Sequence, residues 1–174
     1  MQLFTRKGNL NIGYRIMNKG IQGCTYAYEL SFSFIPPPDN KQEINFADIK
    51  NIGFQWIDDK INHGMVLNPK DNIAIKAAKA TGSKIWLMSL NGEKEYCDPL
   101  VENITKELYL TMQILFNQQH DGTGIEIEEI KIWKTPNCYF SCNQGSIEEL
   151  ESKNFSDARL IEISNYLQKI RNKK

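Results

Sequence analysis

The chain has 174 residues, of which 41% are hydrophobic and 24% charged, and its 21 basic and 21 acidic side chains give a formal net charge of zero. This balance argues against nucleic-acid binding and a polybasic membrane contact, and no apolar run approaches the roughly 18 residues that suggest a membrane span. Only two histidines, His63 and His120, are present, which excludes a zinc site built from three histidines of one chain.

The cysteine usage and the N-terminus indicate a reducing compartment. Four cysteines in a chain of this length do not form a dense disulfide framework. The N-terminal residues lack the apolar segment of a signal peptide. We therefore expect a cytoplasmic protein with reduced thiols. Cys138 and Cys142 do not have the spacing of a zinc knuckle, so we expect them to be small packed residues even if Cys24 approaches them.

The first part of the chain predicts a β-hairpin. Residues 26 to 34 alternate between apolar and polar side chains, which is the pattern of a half-buried strand. An earlier strand over residues 8 to 16 would pair with it through a turn near residues 18 to 20. Residues 36 to 38 are prolines and would end the second strand, because proline has no donor for the ladder.

The middle of the chain predicts helices and one buried strand. Apolar residues recur at helical spacing from about Asn45 to Ile61, with Gly53 weakening the helix slightly. The segment from His63 to Pro69 is predicted to be a loop. A short helix over residues 72 to 81 and a buried strand over residues 84 to 90 follow.

The last part of the chain predicts two more helices and a bulged strand. A long helix is expected from about Pro99 to Asn117. In the strand over residues 124 to 134, the apolar alternation changes phase after residues 128 and 129, which suggests a bulge. Ser146 with Glu149 resembles a capping box, and a final amphipathic helix follows. This order predicts an α+β domain, an antiparallel sheet with helices on one face.

Several segments extend the prediction beyond fold class. Residues 44 to 69 contain Ile-Asn-Phe-Ala-Asp-Ile-Lys, then Trp-Ile-Asp-Asp, then Ile-Asn-His-Gly-Met-Val-Leu-Asn-Pro. This stretch resembles the 6-pyruvoyl-tetrahydropterin synthase family, which includes the 6-carboxytetrahydropterin synthases of the queuosine pathway. Further similar segments follow the family's order, so the resemblance covers roughly residues 8 to 140. These segments are residues 14 to 16, 22 to 26, 98 to 104 and 133 to 136.

The resemblance implies a T-fold, in which subunits join edge to edge into a barrel, commonly a trimer that stacks into a hexamer. Family members bind a pterin or purine-like ring at subunit interfaces. They use zinc held by three histidines, a cysteine, an Asp-His pair and a carboxylate that anchors the ring. We expect the T-fold domain over residues 1 to 145 and a helical extension over residues 146 to 174.

The zinc positions of the family depart from the pattern here. They fall on Tyr14, Gln22 and Cys24. A phenol and an amide are poor zinc ligands beside imidazole and thiolate. The family cysteine falls near Asn18, where the stretch from residue 17 to 21 contains no cysteine. Since zinc supplies the main electrophile of the family reaction, we predict that the chain holds no metal cofactor and has lost zinc-dependent catalysis.

The remaining family positions are partly kept. The aspartate of the Asp-His pair falls on Asn62, and an amide cannot stabilise the imidazolium of His63 as a carboxylate does. The ring-anchoring carboxylate falls on Lys134, whereas Glu102 and Thr135 are retained. His63 is either a surviving acid or base or a packed loop residue. Lys134 is either a cation for an anionic ligand or an exposed strand residue, and Glu102 is either a pocket carboxylate or an acid favoured by the helix dipole.

Three functions remain open. The preferred one is a non-catalytic homo-oligomer, a trimer or hexamer, that binds a pterin, purine or nucleotide. The candidate ligand contacts are Glu102, Lys134, Thr135, Cys24 and Tyr14. The alternative is an active pterin-type or 6-carboxytetrahydropterin synthase with a rebuilt site, in which Cys24 contributes to an unusual metal centre and His63 transfers protons. The third is a structural assembly unit whose C-terminal helix binds a partner.

Overall fold

The computed structural model describes residues 2–34, 46–89, 98–117, 125–147 and 157–173. Six strands form one sheet in the order β4-β3-β1-β2-β5-β6. The strands are β1 (Gln2–Arg15), β2 (Gln22–Phe34), β3 (Gly64–Leu67), β4 (Ile85–Leu87), β5 (Ile125–Thr135) and β6 (Cys138–Asn143). The helices are α1 (Phe46–Ile49), a π-helical turn (Lys50–Phe54), α2 (Gln55–Lys60), α3 (Asn72–Ala80), α4 (Val101–Asn117), a 3₁₀ turn (Gln144–Ser146) and α5 (Asp157–Arg171).

The predicted hairpin is confirmed and is longer than expected. β1 pairs with β2 along nearly its whole length, from Gln2 opposite Phe34 to Tyr14 opposite Gln22. Asn18 in the connecting turn has a φ of 64°, a left-handed conformation that asparagine tolerates better than most residues. Even-numbered residues of both strands face the core and odd-numbered residues face outward, so the sheet has an inner and an outer face.

The bulge in β5 is also confirmed. Ser31 of β2 lies opposite Glu129, whereas the next residue of β2, Phe32, lies opposite Ile127. Glu128 is therefore the extra residue. Because of it, the isoleucines before and after the bulge face the core although their numbers differ in parity. These are Ile125, Ile127, Ile130 and Ile132, all buried.

The loop predicted between His63 and Pro69 is wrong for four of its residues, which form β3. This strand pairs in parallel with residues Ile12–Arg15 of β1 and with β4. The sheet predicted to be antiparallel is therefore mixed: β1, β2, β5 and β6 pair antiparallel, whereas β3 and β4, the latter within the predicted strand over residues 84 to 90, pair in parallel. Both partners of β3 are distant in the chain, and a four-residue strand has too few positions to display a period. α3 packs on the outer face of this end, through Ala74 and Ala78.

Two long helical segments cover the inner face, as expected for the predicted α+β class. The first, predicted from about Asn45 to Ile61, is found from Phe46 to Lys60 with a π-helical turn in its middle. Gly53 lies in that turn, where a Cβ atom would approach the Phe116 ring of α4 to 3.2 Å. Glycine therefore permits the close approach of these helices. The second is α4. None of the described helices is both long and apolar enough to cross a membrane.

The C-terminal helix α5 packs into the same core. Ile163 and Leu167 are buried, and the Tyr166 hydroxyl donates a 3.3 Å hydrogen bond to the Asn51 carbonyl of the π-helical turn. Ser146 forms a capping box with Asn143, the N-cap of the 3₁₀ turn. The predicted partner Glu149, like prolines 36 to 38, lies outside the described residues. The division at residue 145 stays a prediction.

Candidate functional site

Tyr14, Gln22 and Cys24, on which the family's zinc positions fall, lie together on the inner face of the hairpin. Tyr14 is directly opposite Gln22 in the register, and Cys24 is two residues beyond Gln22 on the same face. The Tyr14 hydroxyl donates a 2.6 Å hydrogen bond to the Gln22 side-chain carbonyl. The phenol and the amide are thus joined to each other, and both are poor zinc ligands beside imidazole.

The third position, Cys24, is held as a thiol. Burial raises the pKa of Cys24, and a hydrogen bond with Tyr26 only partly offsets the effect. Burial also raises the pKa of Tyr26, and the neighbouring Cys24 and Tyr14 raise it further. Zinc requires the thiolate. Burial beside two phenols thus disfavours the thiolate form that a zinc ligand needs.

The zinc that the resemblance implies does not fit these residues. The set consists of a phenol, an amide and a protonated thiol, whereas tetrahedral zinc sites use imidazole, thiolate and carboxylate. Within the described part of the chain, no group of three histidine, cysteine, aspartate or glutamate side chains is placed to hold a metal ion.

His63 follows α2 and borders a groove of about 640 Å³ on the hairpin side of the sheet. Its φ of 58° places a non-glycine residue in the left-handed region, and its backbone N–H donates a 2.7 Å hydrogen bond to the Asn11 carbonyl. The side chain is exposed. Strain of this kind is concentrated at functional sites. The groove is also lined by Asn11, Cys24, Thr25 and Ser83.

Asn62, which stands where the family has an aspartate, is used for structure. Its side-chain carbonyl accepts a 2.8 Å hydrogen bond from the backbone N–H of Asn11, and its amide donates to Asp58 at 3.1 Å. The amide thereby joins β1 to α2. A residue that both donates and accepts is needed here, which an ionised aspartate cannot be.

Lys134 and Thr135 border a second groove, of about 470 Å³, on the outer face of the sheet. Asn9, Ala27 and Trp133 also line it, each from a different strand. Thr25 lines both this groove and the groove beside His63. Trp133 is not among the candidate residues that the sequence predicts, although it lies within the segment 133 to 136 that carries part of the resemblance.

Glu102 is separate from these residues. It lies half-buried in the first turn of α4 and borders neither groove. Asp98, just before α4, accepts hydrogen bonds from the Met17 backbone N–H at 3.3 Å and from the Asn68 amide at 3.0 Å, which ties the start of α4 to the residues that follow β1 and β3. The candidate residues therefore fall into three groups: the hairpin cluster of Tyr14, Gln22 and Cys24, the groove beside His63, and the groove beside Lys134. Glu102 lies outside all three.

Comparison with known proteins agrees with this fold. Residues 13–145 match the family model described as 6-pyruvoyl tetrahydropterin synthase. The 6-carboxy-5,6,7,8-tetrahydropterin synthase of Rickettsia felis is 26% identical over 141 residues, which cover 78% of this chain and 95% of that protein. The corresponding protein of Rickettsia conorii is 25% identical with the same coverage.

Solved structures show the same architecture at low sequence identity. An uncharacterised protein of Wolinella succinogenes, WS1659, superposes with a TM-score of 0.56 at 9% identity, covering 82% of this chain and 98% of that one. The 6-pyruvoyl tetrahydropterin synthase of Plasmodium vivax superposes with a TM-score of 0.54 at 9% identity, covering 83% and 99%. At this identity the likeness shows the fold alone.

Proposed function

Because the chain belongs to the 6-pyruvoyl tetrahydropterin synthase family, we propose that it is a binding protein of this family that works without zinc. It holds a pterin, purine or nucleotide-type ligand at the interfaces of a homo-oligomer. The observation that carries the proposal is the 2.6 Å hydrogen bond between Tyr14 and Gln22, which occupies two of the three positions that zinc would need.

The open sheet edges support the oligomer. Within the described part of the chain, β1 is paired with β3 only over Ile12–Arg15, so residues 2–11 have no strand partner there on that side. β6 is the edge strand at the opposite end of the sheet. Two unpaired edges of this kind favour edge-to-edge association of subunits. In a closed ring of copies, β1 of one subunit would meet β6 of the next.

The metal content and the ligand panel test the proposal together. We expect protein purified without chelator to contain well under one zinc per chain by elemental analysis, and to bind at least one pterin, purine or nucleotide in calorimetry. Native mass spectrometry should give an oligomer whose subunit number is a multiple of three. One zinc per chain, or no binding across the whole panel, would overturn the proposal.

The alternative function is an active synthase with a rebuilt site. The identity to proteins named 6-carboxy-5,6,7,8-tetrahydropterin synthase favours it, as does His63, which is exposed in a groove that Cys24 also borders. In this version His63 would transfer the proton. Turnover of a pterin substrate that is lost in His63→Ala and retained in Ser83→Ala would support the enzyme over the binding protein.

A further inference from the structure

A third groove lies on the helical side of the molecule, between the first long helical segment and α5. Its volume is about 590 Å³, which is within the range of small-molecule sites. It shares no lining residue with the grooves beside His63 and Lys134. The π-helical turn (Lys50–Phe54) forms part of one wall, and turns of this rare kind are frequent at functional sites.

The floor of this groove is apolar. Ile52 of the π-helical turn and Tyr166 of α5 are 4% and 7% exposed, and the half-buried Ile170 lies beside them. The Tyr166 hydroxyl donates a 3.3 Å hydrogen bond to the Asn51 carbonyl, which fastens α5 to the π-helical turn. The two walls are therefore joined, and between them lies apolar surface that a small aliphatic side chain can cover.

The two walls carry charges of opposite sign that do not meet. Asp59 borders the groove on the α2 side, and Lys169 and Lys173 border it on the α5 side. All three are exposed, and none of them forms an ion pair with a residue in the described ranges. The Asp59 carboxylate accepts a 2.8 Å hydrogen bond from the Gln55 amide on its own helix. The groove thus has an anchored anion on one side and two cations on the other.

The same two helices do form an ion pair in an adjoining groove. Lys60 of α2 and Glu162 of α5 are 3.7 Å apart, and Asp59 borders that groove too. Side chains can therefore pair between these helices, yet the charges of the larger groove stay open. The dipole of α5 favours Lys169 and Lys173 near its C-terminus, although like charges four residues apart repel each other. It gives no reason for an unpaired carboxylate on the opposite wall.

We propose that this groove binds a zwitterionic α-amino acid with an apolar side chain. The ligand carboxylate lies beside Lys169 and Lys173, its ammonium lies beside Asp59, and its side chain covers Ile52 and Ile170. Two charge-assisted hydrogen bonds of opposite polarity select an amino acid over a simple anion or a simple amine. Because the groove is separate from the other two, the inference goes beyond the proposed function and does not depend on it.

L-Leucine is the principal probe, and three relatives each lack one of its features. L-Leucinamide lacks the carboxylate, 4-methylpentanoate lacks the ammonium, and glycine lacks the side chain. At about pH 6.5 the amine of leucinamide is protonated. We expect calorimetry on the full chain to detect leucine, and each relative to bind about tenfold or more weakly, since a charge-assisted contact or an apolar burial is lost. Ligand-observed NMR measures the weaker probes.

Two exposed substitutions assign the contacts. Lys169→Gln should weaken leucine binding about tenfold and should not weaken leucinamide, which has no carboxylate to lose a partner. Asp59→Asn should weaken leucine to a similar degree and should not weaken 4-methylpentanoate. Lys76→Gln, on the exposed side of α3, is the matched loss of a charge and should leave every affinity unchanged. All three variants should keep the parental thermal midpoint, because these side chains are exposed.

The contrary results are distinct from each other. Equal affinity for leucine and either leucinamide or 4-methylpentanoate would overturn the zwitterion as the ligand class. Unchanged leucine affinity in either Lys169→Gln or Asp59→Asn would overturn the placement of the ligand, and no binding of leucine would reject the inference as a whole. Each of these outcomes leaves the binding of pterin, purine or nucleotide untouched, since the residues proposed for that function lie elsewhere.

Discussion

At the scale of single residues, the three positions that correspond to the zinc ligands of the family carry side chains that interact with their neighbours in the hairpin. Tyr14 and Gln22 are opposite each other and form a hydrogen bond, and Cys24 is hydrogen-bonded with Tyr26. The three positions lie side by side on one face of the hairpin, and two of them carry side chains that are hydrogen-bonded to each other. The register of the hairpin brings these positions together whatever side chains they carry.

This register can be tested by restoring the ligands. The triple variant Tyr14→His, Gln22→His and Cys24→His should bind one zinc per chain, because three imidazoles on one face at these positions converge as in histidine zinc sites. Elemental analysis after dialysis measures the bound metal. The double variant Tyr14→Phe with Gln22→Leu is the control and should bind none. A folded triple variant without zinc would contradict the convergence of the three positions.

A second residue-scale feature is the ion pair between Glu107 and Arg159, which are 0% and 3% exposed. The guanidinium donates to the carboxylate at 3.0 Å and stacks 4.2 Å from the Trp86 ring. Burial raises the pKa of Glu107, while Arg159 and the Ser89 donors lower it without cancelling the rise. The arginine thus makes a charged side chain tolerable inside the core.

Arg159→Met should lower the free energy of unfolding by about 3 kcal/mol near neutral pH, because it leaves a buried carboxyl without its cation. The pKa of Glu107 should then rise further, so the folded protein holds a proton that the unfolded chain releases. The deficit should grow as pH rises through the range above the parent's folded-state pKa for Glu107, which is itself raised above 4.5, and shrink below it.

Urea denaturation at about pH 5 and about pH 8 measures this difference. Adding Glu107→Leu to Arg159→Met should recover most of the lost stability, since an apolar pair of similar volume removes the buried charge altogether. A deficit that stays the same at both pH values would show that the loss comes from packing and not from the carboxyl.

At the scale of elements, the irregularities of β5 do two different things. The bulge at Glu128 keeps isoleucines on the core face across a change of parity, whereas the extra residue Lys134 brings a cation to the outer face. The first follows from the hydrophobic pattern itself. The second leaves no apolar signal in the sequence, because the residues from Trp133 to Tyr139 are exposed or half-buried.

Two single-residue deletions distinguish a tolerated change of register from a damaging one. Deleting Glu128 leaves a strict apolar alternation, so the thermal midpoint should fall by only a few degrees. Deleting Lys131 sends Ile132 to the outer face and Trp133 into the core, and should cost about 3 kcal/mol or more. Differential scanning calorimetry compares the two. Equal losses would mean that the bulge is required for folding and is not merely an accommodation of the pattern.

At the scale of the whole molecule, α5 belongs to the same core as the sheet. Ile163, Tyr166 and Leu167 are buried, and Arg159 reaches the edge formed by Trp56 and Trp86, whose rings are 6.1 Å apart. The inner face of this helix is therefore covered by its own domain. A partner that binds α5 would have to use its outer face, where Ile161 is exposed.

Truncation after Ile147 should lower the free energy of unfolding by about 5 kcal/mol, because three apolar side chains lose their burial and Glu107 loses its arginine. Trp86 would become accessible, so tryptophan emission should shift to longer wavelength and iodide should quench it. Chemical denaturation and fluorescence together check this outcome. A truncated chain with parental stability and emission would contradict the shared core.

The sequence by itself determined the class, the hairpin, the bulge at Glu128 and the absence of a three-histidine zinc site. These follow from local periodicity and from a residue count, which need no knowledge of distant contacts. The tertiary structure alone decided that residues 64–67 form a strand, that Lys134 shares a groove with Trp133, and that Arg159 enters the core. The strand and the arginine depend on partners far away in the chain, and pairing between distant segments leaves no period in either of them. The position of Lys134 depends on the register between β5 and β6, which no apolar pattern marks.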